Sequence, residues 1–246
     1  MSGHSKWATI KRKKGANDAQ RGKIFTKLGR ELAVAVKTGG GPDPAINSRL
    51  KDVIAKCKSN NMPNDTIMRS VKKAAGEGNT DNYEANVYEG YGPNGVAVIV
   101  ETLTDNKNRT AADMRHYFDK FGGNLGTSGC VMFMFDKKGI ILIENDGSLD
   151  EEQVMMDALE AGAEDVESND EGFEISTDPN GVFAVSEKLE GMGYKIAQAE
   201  AQYVPQTETA LTDEHDILMM SKLIEHLEDS DDVQNVWHNW ENPTEE

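Results

Sequence analysis

Lys6, Trp7, Lys11, Arg12, Lys13 and Lys14, followed by Arg21 and Lys23, form the densest run of chemistry-bearing residues in the chain, with seven cations in the eighteen residues from Lys6 to Lys23. Like charges this close repel one another unless a polyanion lies among them, and each phosphate they neutralise releases condensed counterions, so the run reads as a nucleic-acid contact. Trp7 adds a flat ring. An unpaired base stacked on such a ring gains about 1 to 3 kcal/mol, and the competing use of the same ring is packing on the helical bundle. The positive set continues through Lys27, Arg30 and Lys37. A second set is Asn106, Lys107, Asn108, Arg109 and Thr110. There a helix N-terminus flanked by Lys107 and Arg109 offers a seat for a phosphate or carboxylate, and the alternative is an ordinary strand-to-helix turn with a Thr cap. Arg115 and His116 lie further along the same segment.

Other chemistries find little support. Cys57 and Cys130 stand alone without a C-x-x-C spacing, so neither a disulfide framework nor a zinc site is expected. Gly122, Gly123, Gly126 and Gly129 do not spell a dinucleotide-binding turn and precede a strand, and Gly39 to Gly41 lack the Lys-Ser/Thr of a phosphate loop. Asp229, Asp231 and Asp232 lack the central Gly and distal Glu of a calcium loop and read as a solvated acidic cap. The five histidines have no metal or triad spacing, and no nucleophile elbow or H-E-x-x-H occurs. The expectation is a non-enzyme with no catalytic residue, no metal and no cofactor.

Net charge alone argues the other way. With 26 Lys/Arg against 43 Asp/Glu the chain carries −17, which is unfavourable for a polyanion binder. The charge is segregated, however. Met1 to Thr80 holds 17 basic and 6 acidic residues, Asp81 to Lys138 holds 6 and 8, and Gly139 to Glu246 holds 3 and 29. The basic end alone is suited to phosphate. An apolar fraction of 37% is ordinary for a folded chain. The longest apolar runs, Val96 to Val100 and Ile140 to Ile143, fall far short of the ~20 residues of a membrane span. The basic N-terminus lacks the apolar segment of a secretory signal, so a cytoplasmic protein without a membrane partner is expected.

These residues need elements to position them. At about 100° per residue, Ile24, Leu28, Leu32, Ala35 and Val36 share one side of a helix around Asn17 to Lys37, with Lys23, Lys27, Arg30 and Lys37 on the other. Ile46, Leu50, Val53, Ile54 and Cys57 line a second helix flanked by Arg49, Lys51, Lys56 and Lys58. Ile67, Met68 and Val71 oppose Arg69, Lys72 and Lys73 on a third, capped by Asn64 or Asp65. Beyond a linker, Val96 to Leu103 reads as a strand, Thr110 with Asp113 as the capping box of a helix bearing Met114, Tyr117, Phe118 and Phe121, and Val131 to Phe135 as a further strand. From Ile140 to Tyr203 the order is β-α-β-β-α-β, a ferredoxin-like unit. The C-terminal remainder, a helix with Ile217, Met220, Ile224 and Leu227 and a strand near Val233 to Trp237, is too little to fold alone and should return to the sheet begun at Val96. The expected fold is α+β: a basic arm and three-helix bundle over residues 1–80, a discontinuous α/β domain from 81–138 with 205–246, and an acidic ferredoxin-like insertion over 139–204.

Several motifs together resemble the YebC family: Gly3-His-Ser-Lys-Trp7, Arg21-Gly-Lys-Ile-Phe-Thr-Lys27, Asn60-Asn-Met-Pro63, Tyr88-Glu-Gly-Tyr-Gly-Pro93, Leu103-Thr-Asp-Asn-Lys-Asn-Arg-Thr110, Gly122-Gly-Asn-Leu-Gly126 and Asp231-Asp-Val-Gln234. The resemblance spans nearly the whole chain and is densest before Phe135. It implies a helical bundle followed by two α/β domains, and a role as a probable transcriptional regulator that binds DNA. It equally implies kinship with a mitochondrial translational activator and with ribosome-associated translation factors. Thr9, Ser48 and Lys107 depart from the usual pattern, and Lys107 in place of a common Arg keeps the charge but loses bidentate geometry. A flexible basic arm with Trp7 suits ribosomal RNA, whereas the family name favours DNA and the transcription machinery. An acidic protein-interaction adaptor is the expectation from a different class. Oligomeric state is not legible.

Overall fold

The three apolar stripes of the N-terminal part fold as helices α1 (Asp18–Thr38), α2 (Ser48–Ser59) and α3 (Asn64–Ala75) in a computed structural model that describes Trp7, Ile10 and residues 18–76, 82–145 and 147–241. Leu28, Leu32, Ala35 and Val36 meet Leu50 and Cys57 of α2 and Ile67, Val71 and Ala74 of α3 in one core. Asn47 sets the turn between the first two helices. Its Oδ1 accepts from Leu50 N at 2.9 Å, which caps α2, while its Nδ2 donates to Ala35 O at 2.9 Å and Gly41 O at 2.7 Å. A Cβ at Gly39 would overlap that carboxamide, so the close approach requires glycine. Because the cap falls at Asn47, Ile46 lies outside the helix and is 76% exposed instead of joining the stripe. Met68 likewise faces outward.

Strands β1 (Glu84–Tyr91), β2 (Ala97–Thr104), β3 (Asn124–Leu125) and β8 (Val233–His238) form an antiparallel sheet in the order β3-β1-β2-β8. β1 and β2 pair from Glu84↔Thr104 to Tyr91↔Ala97, and β8 lies along the other edge of β2 from Val98↔His238. The C-terminal strand thus closes a sheet that begins about 150 residues earlier, at Glu84, and Asn239 Oδ1 extends the closure by accepting from Ala97 N at 2.8 Å. Helices α4 (Lys107–Lys120) and α7 (Glu214–Asp229) pack Met114, Phe118, Phe121, Met220, Leu223 and Leu227 against Val98 and Val100. β1 is an element that sequence reading does not identify. Two boundaries also move. Helix α4 begins at Lys107 under an Asn106 cap, whose side chain accepts from Arg109 N at 3.1 Å, which leaves the Thr110 hydroxyl for a tertiary contact. Val131 to Phe135 is not a separate strand. Met132–Met134 forms a 3₁₀ turn because the buried Glu89 carboxylate accepts from Gly129 N, Val131 N and Met132 N, donors a strand would have used.

The second sheet contains β4 (Phe135–Glu144), β5 (Asp165–Asn169), β6 (Gly172–Thr177) and β7 (Ile196–Pro205) in the order β5-β6-β4-β7, with α5 (Glu151–Ala161) and α6 (Val182–Gly191) between them in sequence. This is the ferredoxin-like arrangement. A continuous run such as Ile140 to Ile143 needs cover on both faces of a sheet. Ile141 and Ile143 join Phe173 and Ile175 under Val154, Ala158, Val182, Val185 and Leu189 of the two helices. Ile140 and Leu142, on the opposite face, are covered by Trp7 and Ile10, which are 3% and 5% exposed. Trp7 and Ile10 therefore fold with residues 136–204 in one compact unit, while the bundle and the first sheet make the other. The reason is unfilled apolar area: two helices cover one face of a ferredoxin-like sheet, and the indole fills the other. Among the described residues no helix is long and apolar enough to cross a membrane.

This packing predicts the cost of losing the indole. Trp7→Ala should destabilise the unit by about 3 to 5 kcal/mol, as large-to-small core substitutions do, measured by urea unfolding. Trp7→Phe should cost far less, because the buried indole Nε1 has no hydrogen-bond partner to lose.

Candidate nucleic-acid interface

The basic side of α1 meets the end of α7 and the start of β8. Lys23 Nζ reaches Asp229 Oδ1 at 2.6 Å, and Lys27 Nζ donates to Glu228 O at 2.6 Å, where free carbonyls at a helix C-terminus attract cations. One turn on, Arg30 Nη1 donates to Asp232 Oδ1 at 2.6 Å and to Leu103 O at 2.9 Å, with its guanidinium 5.3 Å from the centre of the Tyr83 ring. From α4, Arg109 Nη2 donates to Asp232 Oδ2 at 2.8 Å and to Asp105 Oδ1 at 2.9 Å. The hydroxyls of Thr110 and Thr104 complete the set on Asp232 Oδ2, at 2.7 and 3.1 Å. Asp232 is 6% exposed. Burial opposes its ionisation, but hydrogen bonds from Arg109, Arg30 and Thr110 and the charge of Arg109 outweigh it and hold the carboxyl down at about 2. It is not a solvated acidic cap.

These contacts give Lys23, Lys27, Arg30 and Arg109 internal partners. The cleft of about 330 Å³ beside them is lined by Arg30, Arg109, Ser230 and four carboxylates, Asp105, Asp113, Asp231 and Asp232. Both guanidiniums are thus engaged among four acids, and the N-terminus of α4 contributes Arg109 and Thr110 to that network. Lys107 stands exposed at the first residue of that helix, and Arg21 and Lys37 are exposed on α1. Trp7 is buried, which removes its face from stacking. Lys6, Lys11, Arg12, Lys13 and Lys14 lie outside the described residues.

The structure brings forward cations on the next two helices instead. Arg69, Lys72 and Lys73 are exposed along one side of α3, opposite buried Ile67, Val71 and Ala74. Arg49, Lys51 and Lys58 are exposed on α2. Their helical spacing is visible in the sequence. What it does not reveal is that α1 turns Lys23, Lys27 and Arg30 to α7 and β8. A large ring also stands at the surface: Phe133, 70% exposed, on the 3₁₀ turn pinned by Glu89. Gln206 N and Tyr91 OH hold the same turn through Met134 O and Cys130 O, at 2.9 and 3.0 Å.

Two family models match this chain: the TACO1/YebC protein N-terminal domain over residues 5–77, and the TACO1/YebC second and third domain over residues 83–240. The chain belongs to the TACO1/YebC family. Among its relatives, a probable transcriptional regulatory protein of Acetivibrio thermocellus is 65% identical over 240 residues, covering 98% of this chain and 99% of that one. A protein of the same description from Ruminiclostridium cellulolyticum is 63% identical over 245 residues, covering 100% and 98%. The crystal structure of a conserved hypothetical protein from Aquifex aeolicus matches with a TM-score of 0.80 and 45% identity over 91% of each chain. In this TACO1/YebC protein the α+β fold with an N-terminal helical region, expected from the sequence, is the fold observed.

The network around Asp232 carries a pH signature. Its carboxyl titrates at about 2 when folded, against about 3.9 in an unfolded chain. A depressed folded value means the contribution is full above pH ~4 and disappears as pH falls toward ~2, amounting to about 2 to 3 kcal/mol. Asp232→Asn should therefore destabilise the protein at neutral pH, by up to about 3 to 5 kcal/mol since two arginines lose their counter-charge. It should also flatten the acid limb of a stability-against-pH curve between pH ~4 and ~2.

Proposed function

We propose that this TACO1/YebC protein is a non-enzymatic, nucleic-acid-binding regulator of gene expression. The observation that carries the reading is the exposed row Arg69, Lys72 and Lys73 on α3, with Lys51 and Lys58 on α2, on a bundle whose first helix turns Lys27 and Arg30 to internal partners. Helices of twelve residues are about 18 Å long, enough to follow several phosphates. The basic arm before α1 adds charge in the same part of the sequence. The description of the relatives as probable transcriptional regulatory proteins supports DNA as the polymer and transcription as the process.

A second reading, a ribosome-associated translation factor that binds ribosomal RNA, has its own support. Base readout in a DNA groove calls for Arg, Asn or Gln at the start of a recognition helix. The start of α3 offers Asn64 and Asp65, and its cations come later, where they suit phosphates. Phe133 is an exposed ring on a turn whose backbone is pinned by Glu89, and an unpaired base can stack on it.

Salt titration with duplex DNA and with a structured ribosomal RNA fragment tests both. If about six phosphates are contacted, log K falls with log salt at a slope of roughly −4 to −5. Replacing Arg69, Lys72 and Lys73 by Ala should flatten that slope by about 2 to 3, since each phosphate contact contributes nearly one. Tighter binding to the RNA fragment selects translation, and sequence-selective binding to DNA selects transcription. Binding that ignores salt and the triple substitution would sink the proposal.

A further inference from the structure

The acidic unit presents a surface that nucleic-acid binding does not use. Helix α5 turns Val154, Ala158 and Ala161 into the core. On the opposite side Met155, Met156 and Leu159 are 42%, 58% and 53% exposed. At about 100° per residue, these three fall within a single 100° arc, with Glu152 between the methionines and Glu160 on the arc's flank. Acidic residues surround the stripe, and from Asp150 to Ala161 the helix carries no basic residue. Two acids are already engaged in the domain: Glu151 accepts from Ser168 Oγ at 2.6 Å, and Asp157 accepts from Tyr194 OH at 2.6 Å. Glu152 and Glu160 remain exposed beside the methionines.

We propose that this face of α5 docks a basic amphipathic helix of a partner protein. Methionine is flexible and polarizable and adapts to varied apolar side chains. Interleaved carboxylates select an incoming surface that flanks its apolar anchors with Lys or Arg. The same charge rules out the other occupants of an apolar stripe. Anionic lipid is repelled, because helices that lie on membranes carry Lys/Arg on their polar side. A second copy meeting this face through a two-fold axis would set carboxylate against carboxylate. A nucleic acid meets the same repulsion. The docking function is independent of the phosphate-binding role of α2 and α3.

The test uses the full-length protein and a fluorescein-labelled peptide of about 18 residues, leucine and lysine placed to form one apolar and one basic side. A scrambled peptide of equal composition, with no apolar side, is the control. The ordered peptide should bind with a Kd of about 10 µM, and the scrambled one about tenfold more weakly. Met156→Glu with Leu159→Glu should weaken the ordered peptide by about tenfold or more, and Glu152→Lys with Glu160→Lys should do the same. All four side chains are exposed, so circular dichroism and the salt slope for nucleic acid should be unchanged in both variants. Equal binding of the two peptides, or indifference to Met156→Glu with Leu159→Glu, overturns the proposal. So does binding to vesicles of anionic phospholipid, or self-association that the same double substitution abolishes.

Discussion

Asp232 is the group on which the unit formed by the bundle and the first sheet depends. One carboxylate, nearly without contact with water, accepts from Arg30 of α1, Arg109 and Thr110 of α4, and Thr104 at the end of β2. The backbone adds a bond from Leu103 N to Asp232 O at 2.8 Å. Three elements distant in sequence are thereby fixed at the residue where β8 begins. A buried charge that holds four donors tolerates little displacement, because leaving any donor unpaired in a low-dielectric site costs more than an exposed pair gains. The apolar contacts of α7 and β8 give the C-terminal segment its hold on the sheet. The carboxylate fixes the position of the bundle relative to that sheet.

The same constraint decides which cations face outward. A sequence count assigns Lys23, Lys27, Arg30 and Arg109 to a partner, yet they neutralise Asp229, the end of α7, and Asp232 within the chain. The basic residues exposed on α2 and α3, Arg49, Lys51, Lys58, Arg69, Lys72 and Lys73, lie on a scaffold whose orientation those four define. Each arginine holds two acceptors through one terminal nitrogen: Arg30 Nη1 reaches the Asp232 carboxylate and Leu103 O, and Arg109 Nη2 reaches the carboxylates of Asp232 and Asp105.

Elements governed by a local period were legible before the structure. The stripes of α1, α2 and α3 and the β-α-β-β-α-β order need only residues a few positions apart, and the return of β8 is implied by the shortage of core after Tyr203. β1 escapes because the polar-apolar alternation of Glu84 to Val87 reverses phase at Tyr88 and Glu89. What stays hidden is pairing across long separations. Nothing near Asp232 in sequence distinguishes it from Asp231, which is exposed. Only the approach of Arg30 and Arg109 makes the one buried and the other not. Trp7 is similar. Its ring suits a base and a sheet equally, and the choice rests on an apolar face made by Ile140 and Leu142 more than a hundred residues away. Glu89 looks like a strand-surface acid until three backbone N–H groups from the turn at residues 129–132 are seen to converge on it.

Internal and outward charges answer differently to salt, which bears on how a chain of −17 would hold a polyanion as proposed. Exposed charges farther apart than ~8 Å are largely screened at physiological ionic strength, whereas buried pairs in contact are screened little. The contacts on Asp232 therefore persist in salt that would weaken the phosphate binding proposed for α2 and α3. Under the proposed function the basic face would act through the few cations within reach of the ligand.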